Sequence, residues 1–347
     1  MRKILILLRK TDATTSMKET LTTIARRIGC STTTVSRVLS GKAEQCRISE
    51  ETVLAVLKEA RRCNYTPSAT AQSLRTNKSK TIGMLLPSVS NPYFADMASV
   101  IISELDKNNY TTIVVDTMED GKHLMESARS LIARQVDGLI AVPCDEDRME
   151  MEMLESQVPI VLIDRYYDDT KMSYVTTNNY QGGLDATNHL IARGHSKIAC
   201  IQGVESSKPN EERVRGYRTA MGKAGLTDYA MVVGNEFSIQ NGYLEAKLLL
   251  SRDDRPTAIF ALSNTIMLGA LKAIREAGLR IPQDIAVLSF DDNIYMDYMT
   301  PSITRIGQPV DDMAKLAVKI LLDKLAGASG SSSQLRLSPV LIAGESV

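Results

Sequence analysis

No apolar run in this 347-residue chain approaches the ~18 residues that a membrane-crossing helix requires, which removes such a helix from the readings. The apolar stretch near the start, Ile4 to Leu8, is five residues long and Arg9 and Lys10 end it. It falls short of the ~7 to 15 residues of a secretory h-region, so residues 1–16 are expected to be a flexible extension, with Met17 as an alternative start. A small extra strand or pairing segment is the other reading of those residues. Cysteine is scarce and unpatterned: Cys30, Cys46, Cys63, Cys144 and Cys200 are odd in number and share no C-x-x-C or Cys/His ligand spacing. That excludes a disulfide framework and a structural zinc, leaving free thiols of a cytoplasmic protein, and His123, His189 and His195 form no metal motif. Also missing are a G-x-G-x-x-G, a Walker loop, a G-x-S-x-G elbow and a clustered acid pair, so neither an enzyme nor a cofactor is expected.

Net charge is absent too, 41 Lys and Arg against 41 Asp and Glu, which at face value argues against nucleic acid. The balance hides an asymmetry. Residues 1–80 hold 16 basic and 6 acidic side chains, and the rest of the chain holds 25 and 35. A basic headpiece joined to an acidic body confines any phosphate-binding footprint to the N-terminal segment.

What is present in that segment is a helix-turn-helix pattern. Leu21, Ile24, Ala25 and Ile28 form one apolar stripe on a short helix that Thr20 can cap and Gly29 can end. Ser31 caps a second helix whose Val35, Val38 and Leu39 face inward, leaving Thr32, Thr33, Ser36 and Arg37 outward. Small hydroxyls and one guanidinium suit a helix pressed into a major groove, although a plain solvent-facing helix would show the same residues. Ser49 to Ala60 reads as a third amphipathic helix, with Glu50 and Glu51 in its first turn. After it, Pro67 to Leu74 favours a helix too short to persist unpaired in water.

From Thr81 the pattern becomes strand followed by helix. Residues 81–86, 111–115, 138–142, 160–163, 197–201, 258–261 and 285–288 are buried-type apolar runs, and most alternate with helical stretches such as Met97 to Lys107 and Met267 to Ala277. The expected fold is a small all-α headpiece followed by an α/β body of two doubly wound parallel-sheet lobes. Ligands bind such sheets beyond the carboxyl ends of the strands, where this chain places Pro87 to Asn91, Asp164-Arg165-Tyr166, Asn178-Asn179 and Asp291-Asp292, so a cleft between the lobes is expected. Residues 328–333 read as a flexible loop before a last strand-like stretch, Leu335 to Ala343.

Taken together, Thr34-Val-Ser-Arg-Val-Leu-Ser-Gly41, Tyr65 to Leu74, Ile82 to Phe94, Arg213-Val-Arg-Gly-Tyr217, Phe290-Asp-Asp292 and Leu337-Ser-Pro resemble the LacI/GalR family of bacterial transcriptional repressors. The resemblance implies a periplasmic-binding-protein-like body of type I and a homodimer on a pseudo-palindromic double-stranded operator. It further implies a small sugar, sugar acid or sugar phosphate as effector, carbohydrate-utilisation genes as targets, and a cytoplasmic, nucleoid-associated location. It divides the chain into an extension 1–16, a headpiece 17–64, a hinge helix and linker 65–79, and an effector and dimerisation domain 80–347. Within that domain the N-lobe takes about 80–177 with part of 306–347, and the C-lobe about 178–305.

The resemblance also assigns residues. Thr32 and Thr33 match the base-reading pair, with Ser31, Ser36 and Arg37 beside them, Arg37 being able to reach a guanine edge or a phosphate. Leu74 matches the hinge leucine that wedges into the minor groove, flanked by Ser68 and Ala71; packing against its dimer partner is the other role open to it. Arg213 and Asp291 match effector contacts, and a fork donor facing an acceptor suits a polyhydroxylated ligand, though Arg213 would also serve a carboxylate. Phe94 and Tyr93 supply either a stacking face or core packing, and Ser88 and Asn178 complete the effector set. The chain departs from the family pattern at Asn178-Asn179, Ser263-Asn264 and Ser289. Two carboxylates become amides there, which favours a negatively charged effector. Ligand either releases the headpieces or holds them on DNA. A solute-binding sensor without a DNA role is the competing reading, and the basic headpiece opposes it.

Overall fold

The computed structural model describes residues 20–65, 78–144, 148–327 and 332–347, which fall into two compact units divided after Asn77. The expected extension 1–16, the hinge residues Ser68, Ala71 and Leu74, and most of the expected loop 328–333 lie outside the described residues.

The headpiece is three helices, Leu21–Ile28, Thr32–Leu39 and Glu50–Arg62. Its local chemistry follows the sequence pattern closely. The Thr20 hydroxyl accepts from the Thr23 N–H while the Thr23 hydroxyl accepts from the Thr20 N–H, a reciprocal cap, and Gly29 ends the helix at φ 70°. Ser31 and Ser49 cap the second and third helices by accepting from Thr34 and Thr52. Ile24, Val35 and Val56, one from each helix, are fully buried at the centre of the core. Arg27 binds Glu59, tying the first helix to the third, and Arg62 binds the same carboxylate from within the third.

The body contains two six-stranded sheets. The first runs β11-β5-β4-β3-β1-β2, built from β1 (Thr81–Leu86), β2 (Thr111–Asp116), β3 (Gly138–Ala141), β4 (Ile160–Ile163), β5 (Ser173–Thr177) and β11 (Gln334–Leu337). The second runs β12-β10-β9-β8-β6-β7, from β6 (Ile198–Ile201), β7 (Met231–Val233), β8 (Ala258–Ala261), β9 (Ala286–Phe290), β10 (Thr304–Gly307) and β12 (Val340–Ile342). Every pairing is parallel except β10 with β12. Helices cover both faces, and each lobe has one hydrophobic cluster on either side of its sheet.

The chain crosses between lobes three times: from β5 into the helix Asn179–Ala192, from β10 into the helix Val310–Leu325, and from β11 to β12. The expected single strand over Leu335 to Ala343 is therefore two strands in different sheets, broken at Ser338-Pro339, where proline cannot donate to a ladder. The second sheet keeps β10 through Gly307 and regains the chain at β12. The helix Val310–Leu325 packs on the first lobe, burying Met313, Ala314, Ala317, Val318 and Leu321.

In the second lobe two helix pairs approach at facing glycines. A Cβ on Gly216 would stand 2.3 Å from the Tyr180 carbonyl oxygen, and one on Gly269 would stand 2.1 Å from that of Ile239. Both partners are backbone and cannot swing away. The first contact holds the helix Lys208–Lys223, which carries Arg213, against the helix that begins at Asn179. Gly216→Ala is expected to cost ~2 to 3 kcal/mol through overpacking, read as a lowered urea midpoint of the body. An unchanged midpoint would mean that the helices can separate freely.

Candidate DNA-reading helix and effector cleft

On the second headpiece helix, Val35 and Val38 point into the core while Thr32, Thr33 and Arg37 are exposed and Ser36 is half-buried. The outward face is therefore the polar one read from the sequence. Ser31 is exposed, and its hydroxyl already serves as helix cap, accepting from Thr34 at 3.0 Å. Among the described residues no helix is long and apolar enough to cross a membrane.

In the body, polar groups from both lobes converge at the carboxyl ends of the strands. Asp164 follows β4 and Asp291 follows β9, in matching places of the two lobes, and both adopt left-handed backbone (φ 66° and 74°). Such conformations are costly for residues other than glycine and persist where surrounding structure enforces them. Both aspartates are buried, as are Arg165, Arg213 and Tyr93. Arg213 donates from Nε to Asn179 Oδ1 at 2.8 Å and from a terminal nitrogen to the Leu262 carbonyl at 2.7 Å, and its guanidinium carbon sits 3.7 Å from the Phe290 ring centre.

Gln308, directly after β10, links the acids. Its amide donates to Asp291 at 2.7 Å, and its carbonyl accepts from the Thr177 hydroxyl at 2.6 Å. The Tyr93 hydroxyl donates to Asp164 at 2.7 Å, and the Asp291 carboxylate also accepts from the Asn264 N–H. Arg165 is held by both Glu119 oxygens at 2.7 and 2.8 Å. These contacts leave about 30 Å³ of open space between Asn91, Phe94, Phe237, Ser263 and the charged groups. Burial pushes the Asp164 carboxyl above the usual aspartate range, keeps the Tyr93 phenol protonated, and lowers Arg213 from the ordinary arginine value. The site is buried, so each polar atom in it is expensive unless paired.

Of the sequence-assigned effector residues, Arg213, Asp291, Tyr93 and Phe94 meet at this cleft. Ser88 and Asn178 do not line it. The Ser88 hydroxyl pairs with Ser90 at 3.0 Å in the loop after β1. Asn178 occupies the first lobe crossing, where its side-chain oxygen caps the helix Asn179–Ala192 by accepting from the Gln181 N–H and its backbone N–H donates to the Leu337 carbonyl in the third crossing. Asn179, its neighbour, is the one that binds Arg213. Glu119, Phe237 and Gln308 were missed as site residues, and Asn91 and the pair Asp164-Arg165 were noted only as polar strand ends. Strand-end position was the usable signal for that pair. Gln308 had none, because β10 was not expected as a strand.

Residues 20–68 match the family described as bacterial regulatory proteins, lacI family, and residues 187–347 match a periplasmic binding protein-like domain. The chain is 34% identical over 330 residues to the ribose operon repressor of Haemophilus influenzae, covering 94% of this chain and 98% of that one. In structure it is similar to the lac repressor dimer bound to operator and the anti-inducer ONPF, at a TM-score of 0.85 and 26% identity, over 95% of this chain and 99% of that one. It is also similar to a LacI-family regulator from Enterococcus faecium with bound ribose, at a TM-score of 0.71 and 27% identity, over 77% of this chain and 98% of that one. With a helix-turn-helix headpiece, two doubly wound lobes and relatives matched along nearly their whole length, the chain belongs to the lacI family of bacterial regulatory proteins and is a DNA-binding transcriptional regulator.

Proposed function

We propose that this regulator acts as a homodimeric repressor whose cleft binds a neutral pentose, with D-ribose as the first candidate, and that lobe closure on the sugar alters the hold of the two headpieces on operator DNA. The observation that carries the effector class is the charge of the cleft. Its lining holds three carboxylates, Glu119, Asp164 and Asp291, against two guanidiniums, Arg165 and Arg213. An added carboxylate or phosphate would tip this balance further negative, whereas sugar hydroxyls can donate to the acids and accept from the forks. The amides at Asn178 and Asn264 favour an acidic effector; the three acids lining the cleft outweigh that inclination. Ribose is favoured among pentoses by the ribose operon repressor and the ribose-bound regulator among its relatives. The proposed activity is binding without catalysis.

On the DNA side, Thr32, Thr33, Ser36 and Arg37 are the proposed base-facing residues, and the basic N-terminal segment supplies phosphate contacts. Operator affinity is expected to fall at least about tenfold between 50 and 200 mM salt, as released counterions require. A flat log-log plot would remove the phosphate contacts. Titration calorimetry tests the effector: D-ribose is expected to bind, and D-ribonate and ribose 5-phosphate to bind at least about tenfold more weakly. Preference for either anion would overturn the neutral-sugar reading.

A further inference from the structure

We propose that Asp137 is the positioning residue that fixes where the chain enters the body from the headpiece, and that operator affinity depends on this one carboxylate. The proposal rests on the dimeric repressor reading above and adds to it a residue outside both the DNA-facing helix and the effector cleft.

The two compact units divide after Asn77, so Lys78, Ser79 and Lys80 are the first residues of the body. Ser79 and Lys80 stand before β1, and their backbone N–H groups bond to a side chain rather than to a strand. Asp137 Oδ1 accepts from the Ser79 N–H at 2.6 Å and from the Ser79 hydroxyl at 2.9 Å, and Oδ2 accepts from the Lys80 N–H at 3.0 Å. Asp137 directly precedes β3, and its own N–H donates to the Thr81 carbonyl at 2.8 Å. On the other flank, the Lys80 carbonyl accepts from the Thr111 N–H at the start of β2, and the Lys80 ammonium lies 4.2 Å from the Tyr110 ring centre. Because β1 runs between β3 and β2, the entry point is gripped from both sides.

Lys80 adopts left-handed backbone, φ 55°, a conformation that persists in residues other than glycine where neighbours impose it. The result is a small backbone nest, two successive N–H groups directed at one anion. Bonds from N–H to a carboxylate are about twice as strong as neutral ones. The sheet does not require them: β1 pairs with β2 from Thr81 to Leu86 and with β3 from Ile82 to Leu85 through its own ladders. The carboxylate therefore orders residues 79 and 80 rather than the strands. Without it, those two residues on each chain of a dimer must be ordered again when both headpieces meet their half-sites, a penalty of at least about tenfold in affinity. Weak binding to random duplex needs only phosphate contacts and carries no such penalty.

Gel shifts with the full chain at fixed salt test this, on an operator duplex that the wild-type chain selects from a random-sequence pool and on random duplex. Asp137→Ala is expected to lower operator affinity at least about tenfold and to leave random-duplex affinity within about twofold. Asp137→Asn, whose single oxygen can hold Ser79 or Lys80 but not both, is expected to fall between, and it decides the matter alone if Asp137→Ala does not fold. Hydrogen exchange at the Ser79 and Lys80 amides is expected to quicken in both variants. Gly216→Ala, which weakens the body from the second lobe, is the control for general loss of stability and is expected to keep wild-type operator affinity. The proposal is overturned if operator affinity stays within about twofold of wild type, if random-duplex affinity falls equally, if the two amides keep their protection, or if Gly216→Ala loses as much. Any of these leaves the dimeric reading standing. Selection of a duplex without two-fold symmetry would overturn that reading and this proposal with it.

Discussion

Arg213→Ala is expected to reduce effector affinity at least about a hundredfold while leaving operator binding intact. Removing one member of a buried charge group costs ~3 to 5 kcal/mol, because the remaining charges lose compensation in a medium that screens them poorly. The Arg213 charge faces both Asp164 and Asp291, and its donors hold Asn179 and the Leu262 carbonyl. Deleting it leaves two buried acids under-compensated and unties the first turn of the helix Asn179–Ala192 from the helix Lys208–Lys223. The loss belongs to the body, so headpiece contacts to DNA should survive. Arg213→Lys separates charge from shape: it retains a cation but not the planar fork, and should recover only part of the affinity. Calorimetry with D-ribose, paired with a gel-shift assay with and without sugar, reads both effects. A variant that still responds normally would dismiss Arg213 as an effector contact.

Leu74→Ala is expected to lower operator affinity by about a hundredfold and leave weak binding to random duplex nearly unchanged, as loss of a wedge between base steps would. Three short helices enclosing a core centred on Ile24, Val35 and Val56 offer little surface to DNA, so the remaining affinity must come from outside the headpiece. Leu74 is the large aliphatic residue in the otherwise small and polar stretch from Ser68 to Ser73 that precedes it. Truncating it would remove the proposed insertion but keeps every basic residue, which is why the non-specific term should persist. Gel shifts at fixed salt on operator and on random DNA distinguish the roles. Unchanged operator affinity would sink the wedge and leave packing between hinge segments.

Local signals carried much of the fold. Thr20, Ser31, Ser49 and Gly29 take the capping positions read from the sequence, because a cap depends on residues within one turn. The long apolar runs became β1, β3, β4, β6, β8 and β9, since a strand covered on both faces must be apolar throughout. Two strands of the second sheet were less legible. Met231–Val233 is short and half-buried, and Thr304–Gly307 carries Arg305, whose charge is satisfied by Asp292 and Asp297. Neither element announces itself without its neighbours.

The candidate site divides in the same way. By itself the sequence determined the basic headpiece, the polar outward face of its second helix and the acidic strand end at Asp291, because periodicity, charge and strand ends are properties of nearby residues, whereas Arg213 was legible only through the family resemblance. Tertiary structure alone decided that Asp164, Arg165, Glu119 and Gln308 join them and that Asn178 belongs to a lobe crossing. These relations join residues as far apart as Tyr93 and Gln308. They arise from three chain crossings that bring the carboxyl ends of two separate sheets together, and no local pattern encodes that.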